Sequence, residues 1–315
     1  MRWEKLGLIW TPTGERAWAK THAAVPAAQI VDASHWRVYV GCRDGLGKSR
    51  VACVELKTNE LPRSLPIVER VSDEPLLSLG EPGTFDDSGV MPSCLIHDGD
   101  KLRLYYIGWN VIGTVPYRVS IGLAVSDDGG RSFQRYSVGP VFDRSLDEPY
   151  FVTTPCVLRD GGIWRMWYTS CTGWKEINGR WEPSYHVKYA ESPDGLRWKP
   201  SGISCIDYGE ACSIARPCVV MHAGLYKMLY SYRSIVDYRS DRSNAYRFGY
   251  AESSDGIDWE RMDDRVGIEK SAEGWDSEML EYGWMQEHAG ETYLLYNGNG
   301  FGRSGFGIAR LAAWE

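Results

Sequence analysis

The sequence predicts an all-β chain: a five-bladed β-propeller of four-stranded antiparallel blades, its last blade closed by the N-terminal strand. Three observations carry that expectation. Blocks starting at Met91, Thr154 and Arg216 ("MPSCLIHDGDKLRLYYIG", "TPCVLRDGGIWRMWYTS", "RPCVVMHAGLYKMLYSYR") align so that Cys94, Cys156 and Cys218 fall 62 residues apart, as do Tyr106, Tyr168 and Tyr230. A period of this size marks a propeller or an array. A second block follows each of the first: "RVSIGLAVSDDGGRSF" from Arg118, "HVKYAESPDGLRW" from His186 and "RFGYAESSDGIDW" from Arg247. The chain ends are also complementary, because the last repeat stops a strand short and Trp3-Glu4-Lys5 reads like Trp259-Glu260-Arg261, which opens a fourth strand.

Taken in order, each repeat is written in strands. Apolar residues alternate or run in short blocks rich in Val, Tyr, Ile and Trp, with turn signals between them. His97-Asp98-Gly99, Arg159-Asp160-Gly161, His222-Ala223-Gly224 and His288-Ala289-Gly290 place a tight hairpin between strands one and two. Asp194-Gly195 and Asp255-Gly256 place another between strands three and four, and four antiparallel strands make a blade. Weaker copies, "AAQIVDASHWRVYVGCRD" from Ala27 and "YGWMQEHAGETYLLYNGNG" from Tyr282, bring the count to five. The last copy ends in "GFGIARLAAW", a third strand, and the N-terminus completes it, which removes a free sheet edge. The expected organisation is a single domain over 1–315, with blades near 20–70, 86–140, 147–204, 210–266, and 276–315 plus 1–10. On this reading the Asp-Gly-x-x-Trp run is architecture.

Composition narrows the function. The chain has 315 residues, 14 Trp, 19 Tyr and a net charge of −7, so a nucleic-acid partner, which wants a basic surface, is not expected. "MRWEKLGLIW" carries no signal-peptide pattern and no apolar stretch reaches membrane-spanning length, so a cytoplasmic protein without a membrane partner is expected. Three of the 8 Cys share one repeat position, which points to buried free thiols rather than a disulfide framework. No His/Cys cluster has metal spacing and no Gly-rich phosphate loop is present, so neither metal nor cofactor is expected.

Antiparallel connection sorts the faces. Each strand-one start and each strand two–three loop share one rim; the Asp-Gly hairpins lie on the other. The long irregular connections "GWNVIGTVPYR", "SCTGWKEINGRWEPSYH" and "SYRSIVDYRSDRSNAYR" all fall on the first rim, where length usually means function. The segments before each strand one bring His22, Asp86-Asp87, Asp147-Glu148, Glu210, and Asp276, Glu278 and Glu281 to the same place. Strand ends add Arg43, Trp109-Asn110, Arg233, Asn297 and Asn299. Acids crowded in a partly dry funnel cannot all ionise, so one can serve as general acid while another stays a base.

The arrangement resembles the five-bladed glycoside hydrolases of the family 43, 32, 68 and 117 group, with some likeness to the family 130 mannoside phosphorylases. The likeness runs along nearly the whole chain as blade pattern. It implies a carbohydrate-active enzyme, a glycoside hydrolase in which an early-blade acid is base or nucleophile, a later acid donates the proton and a third carboxylate tunes it. On that resemblance Asp87 matches the early acid, Glu210 the later one, and Glu148 the third or a substrate-orienting group. The first blade departs from the pattern, offering "THAAVP" where many of these hydrolases place Asp-Pro. His22 is a base in its stead, a sugar-hydroxyl donor or a structural histidine. The Ser126-x-Asp128-x-Gly130-x-Ser132-Phe133 run also matches the Asp-box hairpin of sialidases, which lies away from their active site.

Each candidate has a plainer reading beside the functional one. Trp167, Trp198, Trp259 and Phe133 sit at repeat positions and pack between blades, whereas Trp109, Trp174, Trp181, Tyr150, Trp275 and Trp284 fall off the repeat, where sugar rings stack on such faces. Arg43, Arg216 and Arg233 either pair with carboxylates or hold an anionic group on the substrate. Catalytic candidates are therefore Asp87, Glu210 and Glu148; substrate-binding candidates are His22, Arg43, Trp109, Asn110, Trp174, Arg216, Arg233, Glu278 and Asn297. The expected partner is a small carbohydrate, anionic or nucleotide-linked in one version. The alternatives are a non-hydrolytic sugar- or nucleotide-sugar-binding accessory protein of surface-glycan synthesis, or an enzyme of glycosyl transfer or phosphorolysis.

Overall fold

The computed structural model describes residues 1–209 and 211–314. The chain is nearly all β and consists of four-stranded antiparallel units, consistent with a propeller. After β1 (Arg2–Trp10) come β2 (Thr21–Ile30), β3 (His35–Arg43), β4 (Ser49–Lys57) and β5 (Ile67–Val71), which form one unit. The next is β6 (Gly89–Asp98), β7 (Lys101–Asn110), β8 (Arg118–Ser126) and β9 (Gln134–Arg135), joined to the first by a single parallel bridge, Ser49 to Gly89. Then follow β10 (Val152–Asp160), β11 (Ile163–Ile177), β12 (Arg180–Ser192) and β13 (Lys199–Ile206), and β14 (Cys212–His222), β15 (Leu225–Ser234), β16 (Arg247–Ser253) and β17 (Glu260–Arg261). The last sheet runs β1, β20 (Phe306–Ala313), β19 (Glu291–Asn297), β18 (Glu281–His288), so the N-terminal strand pairs antiparallel with the C-terminal one. Among the described residues no helix is long and apolar enough to cross a membrane.

The first strands neighbour one another in a ring: β2 meets β6, β6 meets β10, β10 meets β14, β14 meets β18, and β18 meets β2. Repeated residues make the joins. The amide of Val157 donates to Cys94 Sγ, that of Val219 to Cys156 Sγ, and that of Met285 to Cys218 Sγ, each at 3.2 Å. The thiols are thus free and buried, and each ties its strand to the next. Burial pushes the Cys42 and Cys53 thiols up to about 12 as well, which keeps them protonated and unreactive.

At three of the joins, the Asp-Gly hairpins dock on the second strand of the preceding unit. Arg37 and Tyr39 donate to the carbonyls of Gly129 and Gly130; Arg103 and Tyr105 to Asp194 and Gly195; Arg165 and Trp167 to Asp255 and Gly256. The glycines are required twice over. At Gly130 φ is +90°, and a Cβ there would lie 2.2 Å from the Tyr39 hydroxyl. Within each hairpin the Ser–Asp pair caps the turn: the Gly195 amide donates to Ser192 Oγ, and the Leu196 and Arg197 amides donate to Asp194 Oδ1.

Candidate active site

Each first strand carries a register irregularity just before the repeated cysteine position, between Ala24 and Ala27, Pro92 and Cys94, Thr153 and Cys156, Ala215 and Cys218, and Glu281 and Trp284. At Val25, Thr154, Arg216 and Tyr282 the bulge holds φ between 43° and 57°, a strained region for a side chain with a Cβ. In the second unit the equivalent residue is Pro92, whose ring fixes φ on the negative side. Side chains at and beside these bulges border a cavity of about 360 Å³ whose lining includes Val25, Met91, Thr153, Thr154, Ala215 and Tyr282.

Met91, Thr153 and Ala215 pair with Ile107, Thr169 and Ser231, and Glu281 occupies the same register position opposite Asn297. Glu281 is therefore the acidic counterpart of Met91, Thr153 and Ala215; it does not itself border the cavity but precedes Tyr282, which does. Its carboxyl is fully buried and neither oxygen has a hydrogen-bond partner. Burial pushes its pKa well above the usual carboxylate range, against the opposing pull of Arg43 and Tyr282. Burial thus favours the protonated form of this carboxyl over its anion.

Around the cavity stand aromatic and cationic side chains. Trp109, Tyr117, Phe151, Tyr185, Tyr238 and Tyr246 wall the cavity, with Arg43 and Arg239 among them. The Tyr185 and Tyr246 hydroxyls bond at 2.8 Å, and Arg233 beneath them donates to both while its guanidinium lies 3.6 Å from the Tyr238 ring centre. Arg239 is held by Glu182 through two bonds of 3.0 and 3.2 Å. Trp109 reaches its place because Gly89 has no side chain: a Cβ there would lie 1.9 Å from the indole nitrogen. That nitrogen, Arg43 Nε and Asn110 Oδ1 are buried and unpartnered, like the Glu281 oxygens. Native proteins leave few such atoms, and those of Trp109 and Arg43, whose residues line the cavity while Asn110 does not, indicate a ligand's place.

The candidates named from the sequence divide. Arg43 and Trp109 line the cavity, and Trp174 packs behind it on Tyr117 and Phe151 at 5.2 and 5.8 Å. His22 lies beside Arg43 with its Nδ1 2.9 Å from Thr21 Oγ1; burial, with Arg43 and Arg303, lowers its pKa to about 4, so it is neutral. Asp87 caps its own turn, accepting from the Gly83 amide at 2.9 Å and from the Ser88 hydroxyl at 2.8 Å, and it does not border the cavity. Glu148 is buried away from it, accepting from the Tyr168 hydroxyl at 2.8 Å with Lys188 at 3.6 Å. Glu278 is exposed, and Glu210 lies outside the described residues. Arg216 is buried, donating to Ser93 Oγ and the Pro26 carbonyl and lying over Trp284. Asn297 spends its side chain on the Val25 amide and the Ala23 and Gly305 carbonyls, each at 2.8 Å. Among the described residues, no group of three or more His, Cys, Asp or Glu side chains is placed to hold a metal ion.

The residues that the sequence reading left out of its site set are Glu281 and the tyrosines 117, 185, 238, 246 and 282. A signal for Glu281 existed. Continuing the cysteine position into the last repeat reaches Trp284, and three residues earlier stands Glu281 where the other repeats have Met91, Thr153 and Ala215.

The fold is that of glycoside hydrolases. A solved glycoside hydrolase matches with a TM-score of 0.72 and 17% identity over 98% of this chain and 90% of that one. A thermostable family-43 glycoside hydrolase gives 0.67 and 18% over 95% and 91%. A mutant of the Bombyx mori GH32 β-fructofuranosidase BmSUC1, in complex with sucrose, gives 0.59 and 17% over 92% of this chain and 61% of that one. No family model matches the chain. The uncharacterized proteins MT1551 and Rv1502 of two strains of Mycobacterium tuberculosis are each 37% identical over 316 residues, covering 99% of either chain. The protein belongs to their family.

Proposed function

We propose that the chain is a single closed five-bladed propeller and a glycosidase-like, carbohydrate-active enzyme, with Glu281 as its proton donor. One observation carries the proposal: a fully buried carboxyl without a hydrogen-bond partner, its pKa raised by burial, stands next to Tyr282 on the wall of an aromatic-lined cavity, in a fold shared with glycoside hydrolases. A sugar ring stacks against Trp109 and the tyrosines, and one of its hydroxyls satisfies the indole N–H. Glu281 gives its proton to the glycosidic oxygen as the bond to the anomeric carbon breaks; a water adds to that carbon and releases its extra proton to solvent water, from which the Glu281 carboxylate is reprotonated. Arg43 stabilises the carboxylate that Glu281 becomes. The second carboxyl of a usual acid–base pair is not supplied by Asp87 or Glu148, since both are engaged elsewhere.

A second reading, binding without cleavage, is favoured by Val25 on the cavity wall in the "THAAVP" segment, where related hydrolases carry an acid. Incubation of the wild type and Glu281→Gln with a mixture of oligosaccharides, read by mass spectrometry and by calorimetry, decides between them. Cleavage by the wild type only, with binding kept by Glu281→Gln, is the expected result. Binding by both with cleavage by neither supports the second reading.

A further inference from the structure

We propose that the cavity contains an oxyanion subsite centred on Arg43, so that the sugar taken there carries a carboxylate or phosphate group. The inference rests on the carbohydrate reading above. Arg43 ends β3 on the cavity wall, and among the described residues its guanidinium has neither a hydrogen-bond nor an ion-pair partner. The adjacent Asp44 does not serve it, because Arg50 at 2.8 Å and the Leu46 and Lys48 amides occupy that carboxylate. A guanidinium left unpaired away from water is costly, and a neutral hydroxyl replaces its hydrogen bonds but not its counter-charge.

A charge census of the cavity points the same way. Arg233, directly beneath, bonds only to neutral groups: the Tyr185 and Tyr246 hydroxyls and the Pro183 and Ser234 carbonyls. Of the acids, Glu182 is spent on Arg239 and Tyr238, and Glu281 makes no ion pair and is pushed toward its neutral form by burial. Arg303 is exposed nearby and close enough to His22 to lower its basicity together with Arg43. The result is a positive pocket in a chain whose net charge is −7. The flat, forked edge of Arg43 suits the two oxygens of a carboxylate or phosphate, with aromatic faces beside it for the ring that bears them. An anion bound there also favours the protonated form of Glu281, the form that proton donation requires.

The test is calorimetric titration of the wild type, Arg43→Gln and Arg43→Lys with glucuronic, galacturonic and mannuronic acids, the parent hexoses, glucose 1-phosphate and inorganic phosphate. The expected result is that at least one oxyanion probe binds the wild type ten-fold or more tighter than its neutral counterpart. Arg43→Gln should lose that preference. Arg43→Lys, which keeps the charge without the fork, should keep part of it and guards against a glutamine variant that fails to fold. Equal binding of oxyanion probes by wild type and Arg43→Gln, or no binding of any of them, overturns the subsite. Tight binding of hexoses without preference for the acids overturns it while leaving the carbohydrate reading standing. Arg43-dependent binding of inorganic phosphate with no sugar bound keeps the subsite and removes the carbohydrate reading.

Discussion

At the scale of single residues, the difference between the acids is one of partners. Asp87, Glu148 and Glu281 all precede or open a first strand, and in a linear sequence they look alike. Asp87 is stabilised by two short local donors and Glu148 by Tyr168, while at Glu281 burial outweighs the pull of Arg43 and Tyr282. Partners tens of residues away, such as Tyr168, are visible only in three dimensions. The contrast has a pH signature. Glu281 keeps a proton in the folded state that the unfolded chain releases above about pH 4.5, so its contribution to stability is full below that pH and lost as pH rises. The gap in melting temperature between Glu281→Gln and the wild type should therefore widen in favour of the variant from pH 5 to pH 8. His22 works in the opposite sense. With its pKa lowered from 6.5 to about 4, its contribution is present above 6.5 and lost as pH falls toward 4, and His22→Gln should flatten stability in that window.

At the scale of elements, every unit after the first carries a clamp. Asp86 binds the Tyr106 hydroxyl and Arg135; Glu148 binds Tyr168 with Lys188 beside it; Asp276 binds Tyr296 and Lys5. In the fourth unit the acid is Asp263, which bonds Tyr230 and Arg261 and comes from the segment after β17. The tyrosine period was legible in the sequence; the acid that answers it was not, since it enters from either side of the sheet. Such clamps fix the pre-strand segment and hence the start of each inner strand. Tyr168→Phe, which leaves buried Glu148 short of a donor, should cost about 1–3 kcal/mol in chemical denaturation. Sugar binding should be unchanged, because neither residue borders the cavity.

At the scale of the molecule, the blade pattern was the most legible feature because it is written repeatedly, in cysteines, tyrosines and Asp-Gly hairpins that each join one unit to the next. The working cavity was less so, since its walls come from loops and strand ends that break the repeat. Two residues read at first as substrate ligands act at this scale. Arg216 on β14 reaches β2, β6, β10 and β18 at once, through Pro26, Ser93, Thr154 and Trp284. Asn297 joins the last sheet to the first by gripping the bulge at Val25. Asn297→Ala should lower stability by about 3 kcal/mol, measured by denaturant titration, because three bonds to buried backbone are lost together. Removing residues 1–10 would bare the edge of β20, and light scattering should then report self-association.

The most direct measurement is the hydrolysis of paired phenyl and dinitrophenyl glycosides, uronides included, by the wild type and Glu281→Gln. A phenyl leaving group needs a proton and a dinitrophenyl group does not. If Glu281 is the donor, the variant should lose roughly 100-fold or more on the phenyl substrates and far less on the dinitrophenyl ones. Equal losses on both, or no loss on either, would contradict that role.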